Sequence, residues 1–78
     1  MSFTAQTIDQ LNLLLQFDSS SLDRGLKVHS NTRRELIEAC LVLFEKGLVS
    51  QSDGGYLTNA GVEARAHAQA LAGLLRGD

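Results

Sequence analysis

Residues 46–58, Lys-Gly-Leu-Val-Ser-Gln-Ser-Asp-Gly-Gly-Tyr-Leu-Thr, leave this chain few choices of fold. Gly47 follows an apolar helical stretch and supplies the left-handed residue that ends a helix. Leu48-Val49-Ser50-Gln51 reads as a strand. Ser52-Asp53-Gly54-Gly55 reads as a tight turn, because Asp-Gly and Gly-Gly tolerate positive φ. Tyr56-Leu57 return as a second strand, and Thr58 caps a new helix. Helix, hairpin and helix thus follow one another with no linker between them.

The flanking segments supply the helices. Before Gly47, Thr32-Arg33-Arg34-Glu35 has the form of a capping box, a Thr at N-cap and a Glu three residues on. Leu36, Ile37, Cys40, Leu41 and Phe44 then recur at helical spacing, and Lys46 suits the negative end of the helix dipole. This predicts a helix over 32–46. An earlier helix is predicted over 4–16. Thr4 is its cap, Phe3 and Ile8 have staple spacing, and Ile8, Leu11, Leu14 and Leu15 form its apolar face. Asp9 and Gln10 are expected to face away. The last helix, 59–75, is expected to bury Val62, Ala64, Ala68, Leu71 and Leu75.

Residues 18–31 admit two readings. Ser20-Ser21-Leu22-Asp23 could cap a short helix that buries Leu22 and Leu26, with Gly25 weakening it by about 1 kcal/mol. Alternatively a turn leads into a strand at 26–29, where Leu26 and Val28 alternate with Lys27 and His29. The alternation favours the strand. The expected fold is mainly α with a small β-hairpin, winged-helix-like, with three main helices plus a wing. At 78 residues it is expected to be a single domain over 1–78.

Two resemblances sharpen this. Leu43-Phe44-Glu45-Lys46-Gly47-Leu48-Val49, followed by Gly54-Gly55-Tyr56-Leu57-Thr58 and Gly61, resembles the recognition-helix-to-wing segment of winged helix-turn-helix proteins, over residues 41–64. Each piece of that motif also has a plain structural reason. Over nearly its whole length the chain resembles a family of small uncharacterised bacterial proteins. They share a Leu-rich first helix, the Gly25-Leu26-Lys27-Val28-His29 segment and the Asp53-to-Thr58 hairpin. Members tend to be labelled DNA-binding, or related to inhibitors of DNA binding. The second label implies a helix-loop-helix dimer, which the Gly-rich hairpin argues against.

The winged-helix resemblance implies that the start of the second long helix enters the major groove of DNA. Asn31, Arg33 and Arg34 are the types that read bases there, and Arg24 and Lys27 would hold phosphates. The expected function is therefore DNA binding, as a small transcriptional regulator with duplex DNA as partner. Three features oppose it. The wing from Ser50 to Gly55 has no cation and carries Asp53. Glu35 and Glu38 share the helix with the arginines. The helix that normally precedes the recognition helix is missing or reduced if 26–29 is a strand. Arg33 and Arg34 would then be a solvated helix end pairing with Asp23 or Glu38. The alternative is a protein-interaction or dimerisation module, with a homodimer through Leu71, Leu74 and Leu75 near the end of the last helix. Dimerisation also suits DNA binding, since palindromic sites match dimers.

Other classes have less support. A net charge of −2 does not suit a nonspecific nucleic-acid coat. The apolar stretches are too short to span a membrane, and the N-terminus has no signal-like core, so a cytoplasmic location is expected. The lone Cys40 fits a reducing compartment and lies on an apolar stripe, where a thiol is an inert hydrophobe. His29 and His67 lack the companions a zinc site requires. Tyr56 is expected to pack in the core with its hydroxyl outward. No nucleotide loop and no nucleophile–base–orienter spacing appears, so neither an enzyme nor a cofactor is expected.

Overall fold

A computed structural model of the chain describes residues 2–17 and 25–76. Leu22, Asp23 and Arg24 lie outside the described residues. The order of elements is α1 (Ala5–Gln16), β1 (Leu26–Lys27), α2 (Arg34–Glu45), β2 (Val49–Gln51), β3 (Gly54–Leu57) and α3 (Asn59–Arg76). The three strands form one antiparallel sheet in the order β1-β3-β2. Three helices on a small sheet with a wing-type hairpin is the expected class. The strand reading of 26–29 holds for Leu26 and Lys27, which pair with Gly55 and Gly54.

The segment 46–58 folds as its residues dictate. Gly47 has φ +76°. Its N–H reaches the Phe44 carbonyl at 3.0 Å and the Leu48 N–H reaches the Leu43 carbonyl at 2.9 Å, the paired bonds of a Schellman stop. The hairpin carries an irregularity, since Val49 faces Leu57 while Gln51 faces Gly54. Two residues of β3, Gly55 and Tyr56, therefore oppose Ser50 alone. Gly55 takes φ +74°, as the first residue of a glycine-type bulge does. The Tyr56 N–H donates to Ser50 Oγ at 2.9 Å.

Thr58 joins three elements. Its hydroxyl donates to the Gly47 carbonyl at 2.6 Å and accepts from the Gly61 N–H at 3.0 Å. Its own N–H donates to the Leu48 carbonyl at 3.1 Å. The end of α2, the base of the hairpin and the start of α3 are thereby tied together. Gly61 is buried against this knot, and a Cβ there would collide with the Leu48 carbonyl oxygen. A second tie comes from Arg65, whose Nε donates to the Phe17 carbonyl at 2.8 Å and holds α3 against the end of α1.

The core lies where α1 and α2 meet over the sheet. Leu13, Leu14, Phe17, Ala39, Cys40, Leu43 and Val49 are buried together, with Leu26, Val28, Leu48, Leu57 and Ala64 packed around them. This corrects the expected helix phases. Ile8, Leu41, Phe44, Leu71 and Leu75, assigned to buried faces by periodicity, are exposed. So is Phe3, so the Phe3–Ile8 pair is not a buried staple. The reason lies in the sequence itself. Residues 39–44 are all apolar and Leu13-Leu14-Leu15 are consecutive, so several rotations of either helix give an apolar stripe. Tertiary packing selects among them. Two further corrections concern ends and rings. α2 begins one residue later than the capping box implies, with Arg33 at N-cap and no side-chain cap, because Thr32 sits in a turn closed by its N–H on the His29 carbonyl. Tyr56 is exposed and lies over Gly25 rather than in the core. The Thr4 cap of α1 is as expected, accepting from the Thr7 N–H at 3.1 Å.

If the Thr58 knot sets the helix–hairpin geometry, Thr58→Val should cost about 1–2 kcal/mol by loss of the cap. Gly61→Ala should lose about 1–3 kcal/mol to the backbone collision, despite the better helix propensity of Ala. Urea unfolding followed by circular dichroism measures both. Unchanged midpoints would mean that the knot contributes nothing.

Candidate functional site

The region at issue is the start of α2 with the strand and hairpin tip beside it. Lys27 leaves β1 beside the hairpin turn, where the Val28 N–H donates to the Asp53 carbonyl at 2.8 Å. That bond brings the Asp53 carboxylate to 3.8 Å from Lys27 Nζ. Arg33, at the entrance to α2, reaches across to α1 and meets Asp9 at 3.3 Å, with Glu35 at 3.9 Å. Asp9 does not face away from the fold as periodicity suggests. Its side chain is only 18% exposed, and the Arg33 pair joins α1 to α2. Arg34, one residue on, meets Glu38 at 3.1 Å along the helix surface. Asn31 is exposed in the turn before α2.

The structure thus brings Lys27, Asn31, Arg33 and Arg34 to one end of the molecule, while Arg24 lies outside the described residues. It also brings four carboxylates there, those of Asp9, Glu35, Glu38 and Asp53. Exposed pairs of this kind stabilise a fold by at most about 1 kcal/mol each. Their larger effect is on the local field, which three described cations and four anions leave without an excess of positive charge.

Along its outer side α2 turns apolar. Leu41 and Phe44 are 45% and 42% exposed, one turn apart, with Ile37 half-buried a turn before them. Ile37 and Leu41 form one wall of a groove of about 520 Å³, with Val28, His29 and Asp53 on the opposite side. A second apolar surface lies at the end of α3, where Leu74 and Leu75 are 80% and 78% exposed and Leu71 is exposed beside them.

The chain belongs to a family of unknown function, DUF5669. The family model matches residues 1–76, nearly the whole chain. No curated protein and no solved structure matches it. Among the described residues there is no cluster of His, Cys, Asp and Glu with the geometry to hold a metal ion, and no helix long and apolar enough to cross a membrane.

Sequence reasoning missed the side chains that act between elements. Arg65, which no local pattern singles out, caps the end of α1. The Arg33–Asp9 pair spans residues too far apart for any local pattern to reveal. Cys40 is buried as its apolar neighbours suggest. Burial pushes its thiol above the ordinary value of 9.0, and the negative charge of Asp53 pushes the same way.

The thiol should therefore resist iodoacetamide at neutral pH in the folded protein and react once urea unfolds it. Its linkage has a definite sign. The folded state holds the thiol proton more tightly than the unfolded state, so this contribution to stability is complete below the unfolded pKa. It is lost as pH rises from about 9 through the higher folded value. Urea midpoints that fall between pH 8 and pH 10 in the native chain, and fall less in Cys40→Ala, are the expected result. Rapid alkylation of the native protein at pH 7 would contradict the burial.

Proposed function

We propose that this chain is a protein-interaction module rather than a nucleic-acid-binding domain. The observation that carries this reading is the state of the α2 end: Lys27, Arg33 and Arg34 each face a carboxylate, and the outer side of α2 continues into Leu41 and Phe44. Binding to DNA draws its affinity from cations that replace counterions on phosphate. Here a phosphate approaching Arg34 meets Glu38, one approaching Lys27 meets Asp53 at the hairpin tip, and one at the first turn of α2 meets Glu35. A recognition helix presents polar side chains to base edges. Leu41 and Phe44 instead suit an apolar partner surface with a polar surround, the general anatomy of protein interfaces.

Transcriptional regulation through duplex DNA is the second reading, and one observation favours it. α2 has no side-chain cap, so N–H groups of its first turn are left to bind an anion, beside Asn31, Arg33 and Arg34. The Arg34–Glu38 pair is exposed and weak enough to exchange for phosphate.

Titration with random duplex DNA, followed by amide NMR shifts at several salt concentrations, separates the two. The interaction reading expects no movement of the amides of residues 25–34 even at low salt. Shifts confined to those amides, with affinity falling steeply as salt rises, would overturn it and establish the DNA reading.

A further inference from the structure

We propose that Asp53-Gly54 is a site of isoaspartate formation, and that β1 governs how fast it forms. The proposal goes beyond the reading of the chain as an interaction module and does not depend on it. In an aspartate–glycine pair the main-chain nitrogen readily attacks the preceding side-chain carboxyl, because glycine has no Cβ to obstruct the approach. Residues 53 and 54 are the one Asp-Gly or Asn-Gly pair in the sequence. They stand at the tip of the β2–β3 hairpin, where the Asp53 side chain is 46% exposed and water has access. The reaction balances with water alone. Gly54 N bonds to Asp53 Cγ, and its proton leaves with the carboxyl hydroxyl as water. Water then adds to a carbonyl of the resulting five-membered imide. Opening at Cγ restores aspartate. Opening at the main-chain carbonyl leaves the chain running through Cγ, longer by a methylene.

Ring closure requires the carboxyl and the Gly54 nitrogen to move toward each other, and β1 holds both. The Val28 N–H donates to the Asp53 carbonyl at 2.8 Å, which fixes the peptide between Asp53 and Gly54. Gly54 pairs with Lys27 and lies so close to β1 that a Cβ on it would collide with the Leu26 carbonyl oxygen. Lys27 Nζ stands 3.8 Å from the Asp53 carboxylate. This guard is short. Only Leu26 and Lys27 pair, and they pair at the edge of the sheet. Elements of that kind open locally at a fraction of the free energy of global unfolding. Isoaspartate forms during those openings. The lengthened main chain then shifts the Asp53 carbonyl relative to Gly54, so the Val28 bond and the Lys27–Gly54 pairing no longer form together. β1 stays detached, and the groove bounded by Val28, His29, Ile37 and Leu41 loses a wall.

The test is to incubate the full chain at neutral pH and sample it over several weeks. Trypsin cuts after Lys46 and Arg65 and releases residues 47–65. Chromatography with electron-transfer fragmentation separates the isoaspartyl form of that peptide and locates the change. Slow accumulation at residue 53 is expected in the native chain, and the fastest accumulation in urea. Val28→Pro removes the N–H that holds the Asp53 carbonyl, and should isomerise several-fold faster than the native chain while circular dichroism shows its helices intact. Amide hydrogen exchange of the native chain gives a second reading that needs no variant. Val28 should exchange far faster than Leu43 in the core, because β1 opens without the rest of the fold. In the isolated isoaspartyl chain the amides of residues 26–28 should shift and that of Leu43 should not. Four outcomes would each overturn the proposal. The native chain isomerises as fast as the unfolded one, or it forms no isoaspartate while the unfolded one does. A folded Val28→Pro is no faster than the native chain, or the Val28 amide exchanges as slowly as that of Leu43.

Discussion

The hydroxyl of Thr58 holds the molecule's architecture at one point. It closes the end of α2 through the Gly47 carbonyl and opens α3 through the Gly61 N–H, while the Thr58 backbone closes the hairpin on Leu48. Three elements meet within a few ångströms, and a Cβ at Gly61 would already obstruct them. A helix end leaves backbone groups that must find partners. Here one side chain satisfies groups from two helix ends at once. The direction in which α3 leaves the hairpin is set by this junction, and α3 then returns along α1, where Arg65 secures it at Phe17.

Once that junction is made, the faces of α2 are decided. Ala39, Cys40 and Leu43 point to α1 and the sheet, and Leu41 and Phe44 are turned outward. Glu35 and Glu38 stand beside the arginines at the start of the helix whatever its rotation, because all four lie within about one turn. What the packing adds is the pairing of Arg33 with Asp9 across α1 and α2. The charge balance of the α2 end is thus mainly local, whereas the exposure of Leu41 and Phe44 follows from the packing that buries Cys40 and Leu43.

This explains which features were legible in the sequence. The Gly47 stop, the hairpin, the Thr58 cap and the Thr4 cap depend on residues within a few positions of one another, and the chain spells them out locally. β1 was legible as a strand from its alternation, although only Leu26 and Lys27 pair. The helix phases were not legible, because the apolar runs at 13–15 and 39–44 satisfy more than one rotation. Thr32-Arg33-Arg34-Glu35 matches a capping box letter for letter, yet the turn closed between His29 and Thr32 takes Thr32 out of the cap position. At the candidate site the residue types were readable and their partners were not. Arg34–Glu38 is a local pair that helical spacing suggests, whereas Arg33–Asp9 and Lys27–Asp53 exist only once α1 and the hairpin have been placed against α2.

The errors of phase carry information of their own. Leu41, Phe44 and Leu71 look like core residues because the chain holds more large apolar side chains than one small core can enclose. A domain of this size gains only a few kcal/mol from its interior, roughly 3–5, so exposed leucines on two helices are a substantial reserve of unburied surface. The most exposed of that surplus is Leu74 and Leu75 at the end of α3, with Leu41 and Phe44 on the outer side of α2, while Phe3, Ile8 and Tyr56 stand exposed singly elsewhere. Apolar surface on the outer side of α2 and at the end of α3 is what a protein partner would cover.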